Sequence, residues 1–285
     1  MVSRVARNVA ISRFWWVLCI ASLVAALLVL LSLFGFVFVR GIAAIRPDIF
    51  FTVTQGIAGG LANAIVGTLL LVTLAIALVV PVGIGAAVWV TQFAPERLRI
   101  VVRLSIDVLF GVPSIVVGYF LYVALVETAG WGFSLAAGAL ALAIIMLPYV
   151  YRAADLAFSA VPRDLVEASV ALGARPLTTF VRVAFPWALP GTLTGLLIGV
   201  GIALGETAPL IYTAGWSNYM PTLAPTHSPV GYLTYVVWTF INEPFKQSHQ
   251  LAYAAAFLLM IAIFVTNFVA RAAVEYWASR TRSHS

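Results

Sequence analysis

Apolar residues in this chain neither alternate with polar ones nor keep to one helical face; they run on, broken by charge only at long intervals. Reading from charge to charge leaves six apolar runs, at 14–39, 61–92, 106–126, 133–151, 187–208 and 251–270. A helix crosses a hydrocarbon core of roughly 30 Å in about 20 residues, so each run can span a bilayer. A membrane strand would be shorter and would alternate apolar with polar positions. The pattern predicts an all-α membrane protein with six transmembrane helices.

Composition supports this reading. Hydrophobic residues make up 63% of the chain and charged ones 9%, with a mean hydropathy of +1.06. Such a chain is satisfied by lipid rather than water. The net charge of +6 is dispersed over loops with no basic, aromatic-lined groove, so membrane lipid is expected as a partner and nucleic acid is not. Arg4, Arg7 and Arg13 precede the first run as in a signal peptide, but the run is too long for an h-region and no cleavage site follows. A retained first span is expected. Cys19 is the only cysteine, so the chain has neither an internal disulfide nor a cysteine metal site.

Charge also orients the spans. With six crossings, both termini share one side with segments 95–105 and 152–185. That side carries Arg4, Arg7, Arg13, Arg97, Arg99, Arg103, Arg152, Arg163, Arg175, Arg182, Arg271, Arg280 and Arg282. The other holds Arg40, Arg46 and Lys246. Positive residues collect on the cytoplasmic side, so both termini are expected there, in a cell inner membrane. The expected organisation is a cytoplasmic N-terminus, first span and outer linker (1–60), a main multi-span domain (61–270) and a cytoplasmic tail (271–285). Trp216, Tyr219, Tyr232, Tyr235 and Trp238 crowd the outer segment and read as an interfacial belt.

The segment EASVALGARPLTTFVRVAFPWALPG, residues 167–191, lies between two spans. Asp164 is expected as an N-cap with Glu167 returning the bond, an acidic capping box. Gly173 is expected to end the helix in the left-handed conformation, with Pro176 preventing a restart. A helix of about nine residues, near 164–173, is marginal alone. Its apolar stripes, Leu165/Ser169/Leu172 and Val166/Val170, imply a partner that covers it. Asp164 and Glu167 are the wrong charge for an interfacial helix on anionic lipid.

These residues resemble the EAA loop of binding-protein-dependent ABC importers, with Ser169 where a second Ala is usual and Phe185-Pro186 where Leu-Pro is usual. NAIVGT (63–68), DVLFGVPSIVVGYF (107–120) and LGETAPL (204–210) extend the likeness, which is to phosphate permeases of the PstA type. The resemblance implies a type I ABC importer permease (MetI-like) fold and no enzymatic activity. Asp164, Glu167, Ala168, Ser169 and Gly173 would couple to an ATPase. The implied partners are a PstC-like second permease, two PstB-like ATPase subunits and a PstS-like phosphate-binding protein. No cofactor belongs to this chain; ATP and Mg sit on the ATPase.

An unpaired phosphate anion in an apolar medium costs on the order of tens of kcal/mol, so a route must supply polar groups. Proline and glycine interrupt the spans at Pro81, at 111–118 and at Pro186 and Pro190, as cavity-lining helices allow. Ser114, Glu206 and Thr207 are the candidate pathway residues. An intramembrane carboxylate is a functional position by default, and beside an anion Glu206 needs a cation as partner. Phosphate permeases usually have an Arg four residues earlier, where this chain has Ile202. That keeps a second oxyanion reading open: molybdate, sulfate or thiosulfate. Asp107 is expected to pair with Arg103 at i,i+4. His227, His249 and His284 have no ligand spacing and are expected at solvated surface. A Ser–His hydrolase is disfavoured because no His falls in a span.

Overall fold

Helix is the only structure in which a single segment satisfies its own backbone inside lipid, and helices account for every long element. The computed structural model describes residues 2–282. His284 and the side chains of Arg4, Arg7, Arg280 and Arg282 lie outside what it describes. The order is α1 (Val2–Ala44), α2 (Ala62–Gln92), α3 (Glu96–Gly111), α4 (Ser114–Leu121), α5 (Leu135–Ser159), α6 (Arg163–Ala171), α7 (Pro176–Thr179), α8 (Phe185–Gly205), α9 (Ala208–Thr213), α10 (Leu233–Phe240) and α11 (Lys246–Arg282). A short hairpin pairs Thr54–Gln55 with Ala58–Gly59.

Five helices among the described residues are long and apolar enough to cross a membrane, and a bent pair can supply a sixth crossing. That pair is the third run, expected at 106–126 with an interruption at 111–118; it starts earlier, at Glu96, and its interruption is a sharp bend. Gly111 ends α3, Val112 is extended (φ −78°, ψ 121°), and α4 begins after Pro113. A proline disfavours helical backbone in the residue before it, and here the axes of Glu96–Gly111 and Ser114–Thr128 meet at 98°. The fifth span is also longer than expected. Pro176 does not block a restart; it sits in the first turn of α7, where a missing N–H costs nothing. From there α7 runs through a π-helical turn, Phe180–Ala184, into α8.

At the centre of the bundle is α5, packed between α2 and α8. Leu71, Val79, Leu142, Met146 and Val150 are fully or almost fully buried there. Small residues let the axes approach: a Cβ at Gly195 would lie 2.0 Å from that of Ala153, and one at Gly191 would lie 2.9 Å from that of Ala157. The first helix stands aside. It touches α11 through Phe34–Phe264, Phe36–Tyr253 and Phe38–Phe257 ring contacts, and its most apolar window is otherwise uncovered.

The NAIVGT motif locks the start of α2. Asn63, fully buried, accepts from the Thr54 backbone N–H (3.0 Å) and donates to the Ser217 carbonyl (2.8 Å). Thr68 Oγ1 accepts from Leu233 N–H (2.9 Å), and Gly67 leaves room for the Gly231 carbonyl, 2.0 Å from where its Cβ would be. Asn63→Ala strands a buried donor and acceptor. It should lower stability by about 3 kcal/mol, read as an earlier denaturation midpoint of the purified protein.

The aromatic belt is partly core. Tyr232 is 1% exposed, and Trp216 stacks on Tyr235 at 4.4 Å. Only Tyr219 and Trp238 of the five are largely exposed.

Candidate functional site: an exposed helix and a cavity at a broken span

The short helix forms as a nine-residue element, α6, but not through the expected capping box. Pro162 is the N-cap, no side chain caps it, and Asp164 sits inside the first turn. There it favours the positive end of the helix dipole without making a cap bond. The other end is as expected. Gly173 adopts φ +80°, with bonds from Gly173 N–H to Val170 C=O (2.9 Å) and from Ala174 N–H to Ser169 C=O (3.2 Å). These two bonds make a Schellman motif, which satisfies the last carbonyls.

No residue of α6 is buried. Leu165, Val170 and Leu172 are exposed, Leu172 at 89%; Glu167 and Ala168 are exposed beside them. Ser169 differs from the rest. Its hydroxyl lies 2.9 Å from that of Thr179, tying the helix back to α7. Beneath it, Phe158, Phe180 and Phe185 form one aromatic cluster joining α5, the π-turn and α8. A short helix carrying bare leucines is thus mounted on the ends of two core helices.

The motifs at 107–120 and 204–210, far apart in sequence, meet at the break between α3 and α4. Gly118 lies against Pro209, whose Cα is 2.4 Å from where a Cβ would be, and Tyr119 packs edge-on against Tyr212. Ser114, in the first turn of α4, and Glu206, the C-cap of α8, line one cavity of about 220 Å³. Phe110, Val112, Pro148 and Tyr149 are among the other residues of its wall, and no Lys or Arg lines it among the described residues. Glu206 is half-buried and extended (ψ 133°). Its backbone carbonyl accepts from Thr234 Oγ1 at 2.7 Å. Thr207 is not brought to this cavity. It lines a separate apolar groove of about 790 Å³ bounded by α1, α10, α11 and the end of α8.

Two further sequence expectations need correcting. Asp107 does not pair with Arg103: it meets Arg152 of α5 at 2.9 Å, while Arg103 reaches Asp155 at 2.8 Å. Asp155, 2% exposed, takes its short bond from Arg103, 52 residues away; Arg152, three residues before it, stands at 4.0 Å. His227 is exposed, with φ 57°. His249 is half-buried instead, with Nε2 2.8 Å from the Glu243 carbonyl.

The family model for the binding-protein-dependent transport system inner membrane component matches residues 79–283. "Phosphate transport system permease protein PstA 2" of Mycobacterium tuberculosis (strain CDC 1551 / Oshkosh) is 39% identical over 276 residues, which is 97% of this chain and 91% of that protein. "Phosphate transport system permease protein PstA" of Pasteurella multocida (strain Pm70) is 34% identical over 239 residues, covering 81% and 83%. A solved structure of the MetNI methionine ABC transporter, in an inward-facing conformation, superposes with a TM-score of 0.61 at 18% identity. It covers 82% of this chain and 99% of the other. At that identity the likeness is one of fold.

Proposed function

The chain belongs to the family of binding-protein-dependent transport system inner membrane components, and from that membership we propose that it is the permease subunit of an ATP-driven importer of inorganic phosphate. It is a multi-pass transport subunit and not an enzyme. Such an importer works with a second permease, an ATPase and a binding protein. The finer reading is a PstC-like permease, two PstB-like ATPase subunits and a PstS-like binding protein, with ATP and Mg held by the ATPase. Both termini then lie in the cytoplasm, on the side of α6.

The observation that carries the substrate is the relatives' shared name. At 33–39% identity over most of the chain, they are phosphate permeases. The exposed α6 supports the coupling half of the reading: its bare leucines give an ATPase subunit a surface to grip, and its mounting on α5 and α8 carries the displacement inward. In this mechanism Ser114 and Glu206 line this chain's share of the route. No Lys or Arg lines the cavity among the described residues; in this reading the second permease supplies the cation that pairs with Glu206.

The test is ATP-dependent uptake of labelled phosphate by the co-expressed complex in vesicles. Phosphate should be taken up and should compete with itself, while molybdate, sulfate and thiosulfate in excess should leave uptake intact. Inhibition by one of those three, with little phosphate uptake, would favour the second oxyanion reading that Ile202 keeps open.

A further inference from the structure

Only one residue of α3, Ile106, is buried, and its outer face carries Leu98, Val101, Leu104 and Val108 in the open. Val102, Leu109 and the Phe110 ring against Tyr149 are its further apolar contacts, so apolar packing secures one narrow face. Polar bonds make up the difference. Arg103 meets Asp155 at 2.8 Å, Asp107 meets Arg152 at 2.9 Å, and Arg99 Nε donates to the Val90 carbonyl at 3.2 Å. Asp155 is the buried member: its side chain is 3% exposed, against 35% for Arg103 and 46% for Asp107. A buried ion pair is seldom the most stable filling of such a position, so its retention calls for another reason.

Its place in the chain supplies one. Asp155 lies in the last turns of α5, just ahead of Ser159 where that helix ends, and α6 starts at Arg163. Arg103 lies on α3, which runs without interruption to the break at Val112–Pro113 and hence to Ser114 at the cavity. We propose that Asp155 is a positioning residue, a joint through which displacement of α6 is passed by way of α3 to the broken span. An apolar contact would let α3 slide on α5; a short, directed ion pair at a buried site makes the two move as one body. The inference rests on the reading of α6 as the helix gripped by an ATPase.

The decisive variant is R103M/D155L, which removes both charges and so leaves neither stranded in the interior. In the complete complex, phosphate transported per ATP hydrolysed should fall about tenfold while ATPase activity persists. R103K, which keeps the charge, should preserve most of the coupling. A second readout does not depend on transport. Spin labels at Ser105 and Ser159, both exposed, should hold one distance with and without nucleotide in the otherwise unaltered complex, and the distance should vary with nucleotide in R103M/D155L. Normal coupling in R103M/D155L, or a nucleotide-dependent distance in the complex with the native pair, overturns the joint. A native complex that takes up no phosphate overturns the functional reading instead, and the labelled distance still decides the joint.

Discussion

Gly173→Val should abolish most ATP-driven uptake, by about tenfold or more, while the protein still inserts and the ATPase still turns over. The left-handed conformation costs an L-residue about 1–2 kcal/mol, and a β-branched side chain is worse placed there than most. Among the described residues, nothing beyond its own chain neighbours lies within 4 Å of where a Cβ at Gly173 would be. The penalty is therefore conformational and not a clash. Relieving it means giving up φ +80°, and with it the two bonds that close α6 onto Ser169 and Val170. The helix would fray at the end that carries Leu172. Gly173→Asn serves as the control, because Asn tolerates the same conformation and should keep most of the uptake. Measuring uptake and ATPase activity on the same vesicles checks both. Normal transport by the valine variant would remove α6 from the coupling path.

Glu206→Gln should reduce uptake on the order of 10–100-fold, the worth of a hydrogen bond to a charged group, without changing the amount of complex recovered. Assembly is spared because the contact that fixes this position is made by the backbone: Thr234 Oγ1 bonds to the Glu206 carbonyl, and glutamine keeps that carbonyl. Only the charge facing Ser114 across the cavity is lost. Full activity in the glutamine variant would reduce Glu206 to packing. Ser114→Ala should have a smaller effect, about threefold to tenfold, since a neutral hydroxyl contributes about 0.5–1.5 kcal/mol. Uptake rates at equal complex levels separate the two.

Much of the helical content was legible because long apolar runs admit no other backbone solution in lipid. The α6 terminus was legible too, since Gly173 acts through its own φ. Cap and break chemistry was less so. Asp164 could cap or sit within the first turn, and a proline such as Pro176 can stop one helix or begin the next. Local sequence does not choose between these. Pro113 was visible as an interruption, but its 98° bend depends on what α3 and α4 pack against.

By itself the sequence determined a lipid-embedded helical chain, the short helix between two spans and its glycine end, because each follows from solvent or from local backbone preference. Only the tertiary structure decided that Arg103 takes Asp155 and not Asp107, that Glu206 shares a cavity with Ser114 and not Thr207, and that Tyr232 is core. Those outcomes depend on which helices meet, and side chains that chain order holds far apart compete for the same partner only once the bundle has closed.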